Sequence, residues 1–160
     1  MEIVIALAGN PNSGKTTLFN ALTGSNQYVG NWAGVTVERK EAMFELEEDH
    51  AKLVDLPGVY SLSPYSIEEN ITRHFIAQHQ PDVVLNIVDA TNLERNLYLT
   101  LQLMELERPV VVALNLMDEL ARRGETIDTK KLSEALGALI APVFKPLGFG
   151  DWRKSVALLS

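Results

Sequence analysis

The sequence predicts an α/β domain with a mostly parallel six-stranded sheet, one antiparallel strand and helices on both faces. Short apolar runs alternate with helical patterns from residue 83 to residue 136, the order of elements that builds a parallel sheet covered by helices. Before them, residues 36–46 and 51–55 are two extended segments joined by a polar turn. We expect this hairpin to be the one antiparallel pairing. The length of 160 residues fits one domain spanning 1–160.

The predicted elements follow one another along the chain. Residues 3–7 form a buried strand, and a helix opens behind it at Thr16. Residues 23–34 are rich in Gly, Asn and Ser, which predicts an exposed, mobile loop. A capping box that begins at Ser66 starts a helix toward residue 78. The remaining predicted elements are strands at 83–88, 110–114 and 143–144 and helices at 92–107, 129–136 and 151–159.

Composition argues against several functional classes. The chain is 46% hydrophobic and 22% charged, which is ordinary for a soluble globular protein, and its net charge of -7 argues against a nucleic-acid partner. The absence of cysteine excludes disulfides, thiolate metal sites and cysteine nucleophiles. No apolar run is long enough to span a membrane, and no signal peptide is evident. We therefore expect this chain alone to be soluble and to face the cytosol.

Residues 9–16 match G-x-x-x-x-G-K-[ST] at every fixed position, between a predicted strand and a predicted helix. The helix N-terminus offers unpaired N–H groups and a partial positive charge to an anion. Lys15 can bridge the outer phosphates, and the Thr16 hydroxyl can ligate a phosphate-bound Mg²⁺ ion. The nucleotide-contacting residues predicted here are Gly9, Asn10, Pro11, Asn12, Ser13, Gly14, Lys15, Thr16 and Thr17.

A D-x-x-G segment runs from Asp55 to Gly58 at the end of a predicted strand. In a parallel sheet that end lies beside the phosphate loop. There the Asp55 carboxylate can hold Mg²⁺, usually through water, and the Gly58 amide can reach a terminal phosphate. Such turns are common, so the functional interpretation depends on the phosphate loop that precedes this one.

The segment from Asn115 to Asp118 follows another apolar strand. Guanine presents two neighbouring donors that one carboxylate can accept, whereas adenine presents an acceptor that an ionised Asp118 would repel. Asp118 is therefore predicted to select guanine. The alternative is a helix cap without a nucleotide role.

A third candidate segment consists of Gly34, Val35 and Thr36. A threonine between the phosphate loop and D-x-x-G can supply a second hydroxyl to Mg²⁺ while the terminal phosphate is present. This loop would then be ordered in one nucleotide state and free in the other. A threonine that enters a strand is commonplace, so this interpretation depends on the other two segments.

In this order and spacing, the segments resemble the first four motifs of translation-factor-class, Ras-like P-loop GTPases. More narrowly, residues 9–15, 29–38, 55–62 and 86–97 resemble the N-terminal G domain of the bacterial ferrous iron transport protein B (FeoB) family. The likeness covers residues 3–139. In that family a helical domain and a membrane-spanning region follow the G domain, and neither is present in this chain.

The resemblance implies a GTP-hydrolysing switch that regulates ferrous iron uptake at the cytoplasmic face of the bacterial inner membrane. It implies three kinds of partner: GTP or GDP, the C-terminal helical and transmembrane portion of the same polypeptide, and small accessory proteins of the iron-uptake system. The residues that it places in catalysis are Lys15, Thr36, Gly58 and Asn12.

Two features of the mechanism depart from Ras-like enzymes. Val59 and Tyr60 follow Gly58 where a water-orienting glutamine is expected, and no arginine lies between residues 14 and 36. Intrinsic turnover should therefore be slow. The resemblance suggests that K⁺ supplies the missing charge, with Asn12 as its side-chain ligand and carbonyls from residues 30–32 closing over it.

The base-binding side also departs from the common pattern. Leu116 replaces a lysine that many GTPases pack over the phosphate loop, so we expect weaker nucleotide binding and faster GDP release. Residues 144–152 lack the Ser-Ala pair of the fifth motif. Tyr28 and Trp32 are either partner contacts or lids on the nucleotide.

Two other functions stay open: a soluble K⁺-dependent GTPase of ribosome assembly or tRNA modification, and a nucleotide-sensing interaction module without useful turnover.

Overall fold

A computed structural model describes residues 2–24, 26–46 and 48–143. The strands are β1 (Glu2–Gly9), β2 (Gln27–Asn31), β3 (Glu38–Leu46), β4 (Asp49–Asp55), β5 (Val83–Asp89), β6 (Val110–Asn115) and β7 (Leu139–Pro142). The helices are α1 (Lys15–Thr23), α2 (Ile67–His74), α3 (Leu93–Met104), α4 (Met117–Arg122) and α5 (Thr129–Leu136). A π-helical turn (Phe75–His79) continues α2, and a 3₁₀ turn (Ala90–Asn92) leads into α3.

The seven strands form one sheet in the order β2-β3-β4-β1-β5-β6-β7. Strand β1 is central and pairs in parallel with β4 on one side and β5 on the other. The chain therefore leaves β1 toward one half of the sheet and later fills the other half, which places a crevice at the carboxyl end of β1. The ends of β1, β4 and β6 carry the three predicted nucleotide-binding segments to this same edge.

Two apolar cores cover the two faces of the sheet, as the alternation of strand side chains requires. On one face, Ile5 and Leu7 of β1 pack in a cluster with Phe19 of α1. On the other face, Ala6 and Ala8 belong to a cluster with residues of α3. Strand β5 is buried along its whole length, and five of its seven residues are apolar. The predicted fold class, with helices on both faces, is confirmed.

The strand count differs from the prediction because residues 27–31 form β2 instead of a mobile loop. Strand β2 pairs antiparallel with β3, which in turn pairs antiparallel with β4, so there are two antiparallel pairings where one was predicted. Among the strands that the structure describes, only β3 runs against the others, as expected. Strand β2 lies at the sheet edge without a buried residue. Backbone pairing without a buried face leaves no hydrophobic alternation in the sequence.

Helix boundaries agree more closely. Ser66 caps α2 by accepting a hydrogen bond from the Glu69 backbone N–H, and the Glu69 carboxylate accepts from the Ser66 hydroxyl, so the predicted helix start is confirmed. Helix α5 has its predicted bounds. Helix α4 was not predicted. Strand β7 ends at Pro142 rather than beginning at 143, since an edge strand tolerates a proline. The helix predicted at 151–159 lies outside the described residues. Among those described, no helix combines the length and the apolarity needed to cross a membrane.

Candidate nucleotide-binding site

The phosphate loop curls tightly between β1 and α1. Asn12 and Gly14 both have positive φ angles, 65° and 96°, and the Ser13 backbone N–H donates to the Asn10 carbonyl at 3.2 Å. At Gly9 a Cβ atom would lie 2.9 Å from the Ile87 carbonyl oxygen of β5. The loop is thus pressed against the sheet at Gly9 and turned over at Gly14, as a cradle for phosphates requires.

The loop lines a cavity of about 530 Å³ at its open side. The lining residues are Asn10, Pro11, Asn12, Gly14, Lys15, Thr16, Thr17 and Gly58. Ser13 is buried beneath the loop, and Gly9 is the last residue of β1. The structure therefore brings the predicted loop residues together with Gly58, which the chain reaches only after three further strands.

Lys15 and Asp55 form an ion pair with 2.5 Å between Lys15 Nζ and Asp55 Oδ1. The two side chains are 11% and 14% exposed, so the pair is largely shielded from water. Burial raises the pKa of the Asp55 carboxyl, and attraction to Lys15 opposes that rise. The lysine is thus held at the cavity by a carboxylate that offers hard oxygen atoms, the ligand type that Mg²⁺ prefers.

The D-x-x-G segment lies directly against the phosphate loop. The Leu56 backbone N–H donates to the Leu7 carbonyl at 3.0 Å, and the Val59 N–H donates to the Gly9 carbonyl at 3.1 Å. A Cβ atom at Gly58 would lie 3.2 Å from the Pro11 backbone. Any side chain at position 58 would push these two segments apart by a few tenths of an ångström, so glycine permits their close approach.

Asn115 joins the phosphate loop to the predicted base-binding segment. Its Nδ2 donates to the Ser13 carbonyl at 3.0 Å, across a sequence separation of 102 residues. A second cavity, of about 750 Å³, opens next to it. Its lining residues are Asn115, Leu116, Asp118, Glu119, Ala121, Arg122 and Val143. Asp118 is therefore at the second cavity, and the atypical residues 144–152 lie outside the described part of the chain.

The 34–36 segment is not brought to the phosphate loop. Among the described residues, the lining of the loop cavity includes none of Gly34, Val35 and Thr36, and Thr36 is exposed. The segment forms a turn in which the Trp32 N–H donates to the Val37 carbonyl at 2.9 Å. The predicted Mg²⁺ contact of Thr36 would need a different arrangement of this turn.

Two features near the site carry no clear signal in the sequence. Trp32 is 7% exposed and so offers no open surface to a partner in this structure, whereas Tyr28 is exposed. The Trp32 ring packs edge-on against Phe75 with 5.6 Å between centroids, and the Arg39 guanidinium lies 4.5 Å from its centre. Only the neighbouring apolar residues at 35 and 37 could have suggested that this loop turns inward.

The second feature is a polar network beneath the loop. Asn86 of β5 donates to the Ala8 carbonyl and accepts a 2.6 Å hydrogen bond from Thr100 of α3. Asn96 accepts from the Asp89 backbone N–H at 3.1 Å and thereby fixes the start of α3.

In the part of the chain that the structure describes, no group of three or more His, Cys, Asp or Glu residues could hold a metal.

Comparison with known proteins gives a consistent family. The sequence model of ferrous iron transport protein B matches residues 3–147. The Fe(2+) transporter FeoB of Salmonella typhimurium is 53% identical over 153 residues, which cover 93% of this chain and 20% of that protein. This chain thus spans about a fifth of the length of that relative.

Solved structures agree in fold and sequence. An S. thermophilus NFeoB mutant bound to mGDP has a TM-score of 0.93 and 50% identity over 98% of this chain and 61% of its own. The FeoB G-domain from Methanococcus jannaschii has a TM-score of 0.88 and 48% identity over 99% of this chain and 97% of its own.

Proposed function

Because this chain belongs to the ferrous iron transport protein B family, we propose that it is the GTP-binding and GTP-hydrolysing switch domain of a ferrous iron transporter. Residues 1–160 would form a single G domain. The helical and transmembrane portions of the same polypeptide would follow it, with the domain at the cytoplasmic face of the inner membrane. Small accessory proteins of the iron-uptake system would be further partners.

The observation that carries this proposal is the hydrogen bond from Asn115 to the Ser13 carbonyl. It connects a cavity lined by the phosphate loop with a cavity lined by Asp118, so one ligand with a polyphosphate at one end and a base at the other fits across them. A phosphate-binding turn without a nucleotide role would not require the second cavity. The S. thermophilus neighbour bound to mGDP supports the same ligand class.

The residues at the loop cavity fit Mg²⁺. The Thr16 hydroxyl and the Asp55 carboxylate are hard oxygen donors, which suit a small divalent cation. Bound there, Mg²⁺ would neutralise charge on the outer phosphates. Lys15 would exchange its contact with Asp55 for phosphate oxygens, and Thr36 would add its hydroxyl when the 34–36 segment closes.

A potassium ion fits the position of Asn12. Its side chain is exposed at the edge of the loop cavity, and its positive φ angle turns the loop outward there. An amide oxygen and backbone carbonyls are neutral oxygen donors, which suit a large monovalent cation. Since Val59 and Tyr60 supply no water-orienting glutamine, this charge would raise a slow intrinsic turnover.

Guanine selectivity is tested by calorimetry with GDP and ADP in the presence of Mg²⁺. The wild-type chain should bind GDP at least about 100-fold more tightly than ADP, because an ionised Asp118 matches the donors of guanine and repels the acceptor of adenine. Asp118→Asn should lose most of that preference. Glu119→Gln is the matched control, since Glu119 lines the same cavity. No heat of association with GDP would contradict the proposal.

Turnover separates a GTPase from a nucleotide-sensing module. Phosphate release from GTP should be several-fold faster in KCl than in NaCl, about tenfold or less if one positioned charge is the difference. Asn12→Ala should remove the dependence on K⁺ and retain GDP binding. GDP binding with no release of phosphate in either salt would favour the sensing module.

A further inference from the structure

Residues 56–62, which follow Asp55 and are here called the switch segment, contact β1 at their beginning and α3 at their end. Its first part is bound to the carboxyl end of β1, where the phosphate loop begins, through the Leu56 and Val59 backbone N–H groups. Val59 and Leu62 are buried, at 4% and 7% exposure. Tyr60 between them is 44% exposed, so its ring is not part of the apolar core that holds Val59 and Leu62.

Two side chains of α3 contact the second part of the switch segment. The Arg95 guanidinium lies over the Tyr60 ring, with Cζ 4.2 Å from its centroid. The Gln102 Oε1 atom accepts a 2.7 Å hydrogen bond from the Leu62 backbone N–H. Arg95 and Gln102 are seven residues apart, about two helical turns, so both project from one face of α3. We call this pair the α3 clasp.

Helix α3 is a rigid support for the clasp. Leu99 and Leu103, on its inner face, are fully buried against the sheet. Thr100 donates a 2.6 Å hydrogen bond to Asn86 of β5, which itself bonds the Ala8 carbonyl just before the phosphate loop. Through α3, the clasp therefore ties the position of the switch segment to β1 and β5, the strands that also position the phosphate loop.

We propose that Arg95 and Gln102 are positioning residues for GTP hydrolysis that keep Gly58 at the wall of the phosphate-loop cavity. This inference rests on the GTPase function proposed above. Neither side chain lines that cavity, and Arg95 lines a smaller cavity of about 140 Å³ that it shares with Tyr60 and Asn12. We assign the effect of both side chains to their contacts with the switch segment. Gly58 lies two residues before the Tyr60 ring under Arg95 and four before the Leu62 amide bound by Gln102. Without the α3 contacts, the segment would keep its Val59 bond to Gly9 and its contacts with Glu69 and Thr72 of α2, so the Gly58 amide would be held less tightly at the terminal phosphate.

Variants of Gln102 separate the acceptor from the rest of the side chain. Gln102→Met keeps the length but removes the acceptor, and Gln102→Glu keeps an acceptor for the Leu62 N–H. The single-turnover rate of GTP hydrolysis should fall about fivefold in Gln102→Met, as for the loss of one hydrogen bond, and recover in Gln102→Glu. GDP affinity should stay within about twofold, because Gly58 contributes to the terminal phosphate alone.

Arg95 is tested in the same way. Arg95→Leu removes the guanidinium plane from Tyr60, and its hydrolysis rate should fall about threefold. Leu101→Gln is the matched control, since Leu101 is exposed on a different side of α3. Its rate should equal that of the wild type.

Amide hydrogen exchange supplies a readout that a general loss of stability would not reproduce. Leu62 should exchange faster in Gln102→Met than in Gln102→Glu or Leu101→Gln, with the strand amides of β1 unchanged. Unchanged Leu62 exchange, or faster exchange with an unchanged hydrolysis rate, would overturn the inference while the GTPase function stands. A wild-type chain that binds GDP but releases no phosphate would overturn both.

Discussion

The phosphate loop and the 34–36 segment each place a glycine with positive φ two residues before a threonine, yet the structure holds them differently. Gly14 has φ 96° and Gly34 has φ 74°. A Cβ atom at Gly14 would lie 2.1 Å from Asn115 Nδ2, whereas nothing lies within 4 Å at Gly34. Gly14 is therefore required both by its positive φ angle and by the closeness of Asn115. Gly34 is required only by its positive φ angle. Packing therefore constrains the phosphate loop at Gly14 more tightly than it constrains the 34–36 segment at Gly34.

The largest effect is expected from Gly14→Ala. The methyl group would displace Asn115 and strain the loop, so GDP affinity should fall more than about 100-fold. Gly34→Ala is the matched control, with a loss of about 1 kcal/mol in unfolding free energy and little change in GDP affinity. Calorimetry with GDP and urea denaturation measure both. Similar losses of GDP affinity in the two variants would show that the comparison is wrong.

The next effect concerns the threonines. Thr36→Ala should lower the rate of GTP hydrolysis about tenfold and leave GDP affinity unchanged, because Thr36 would contribute only with a terminal phosphate present. Thr16→Ala should weaken Mg²⁺-dependent binding of both nucleotides. Thr36→Ser keeps the hydroxyl and serves as the control. A loss of GDP affinity in Thr36→Ala would contradict this expectation, because Thr36 would then contribute to binding without a terminal phosphate.

A smaller effect is expected where the 34–36 segment is anchored. Trp32→Leu removes the edge-on contact with Phe75 and the surface under Arg39, and should cost about 2 kcal/mol of unfolding free energy. GDP affinity should change less than about twofold. Tyr28→Leu, on an exposed side chain of the neighbouring strand, should cost less than about 0.5 kcal/mol. Equal denaturation midpoints for the wild type and Trp32→Leu would contradict this anchoring.

The smallest effect is expected at Leu116, which lines the base cavity with a positive φ of 61°. Leu116→Lys should slow GDP release about threefold, because a lysine stem can pack over the phosphate loop and its charge attracts phosphate. Stopped-flow release of a fluorescent GDP analogue measures the rate. Leu116→Met, which adds no charge, should match the wild type, and faster release from the lysine variant would contradict the expectation.

Much of the fold and of the site could be predicted because the decisive signals are local. The phosphate loop depends on residue types within eight positions, and the sheet edge to which Asp55 and Asn115 are carried follows from parallel topology. Strand β2 could not be predicted because it buries no residue and is held by backbone pairing to β3 and by hydrogen bonds from the Gln27 side chain to α1 and Gly24, which leave no pattern in the sequence. The contact of Trp32 with Phe75 and the clasp of Arg95 on Tyr60 join segments more than 30 residues apart, and no periodicity records them.

The 3.0 Å hydrogen bond between Asn115 and the Ser13 carbonyl couples the base-binding segment to the phosphate loop. An engineer who wished to redirect this domain to a different base could not exchange the base-reading side chains alone. Any shift of the Asn115 side-chain amide would also move the Ser13 carbonyl and, with it, the phosphate loop. A change of base specificity would therefore require substitutions in the base-binding segment and in the phosphate loop together, whether by design or in evolution.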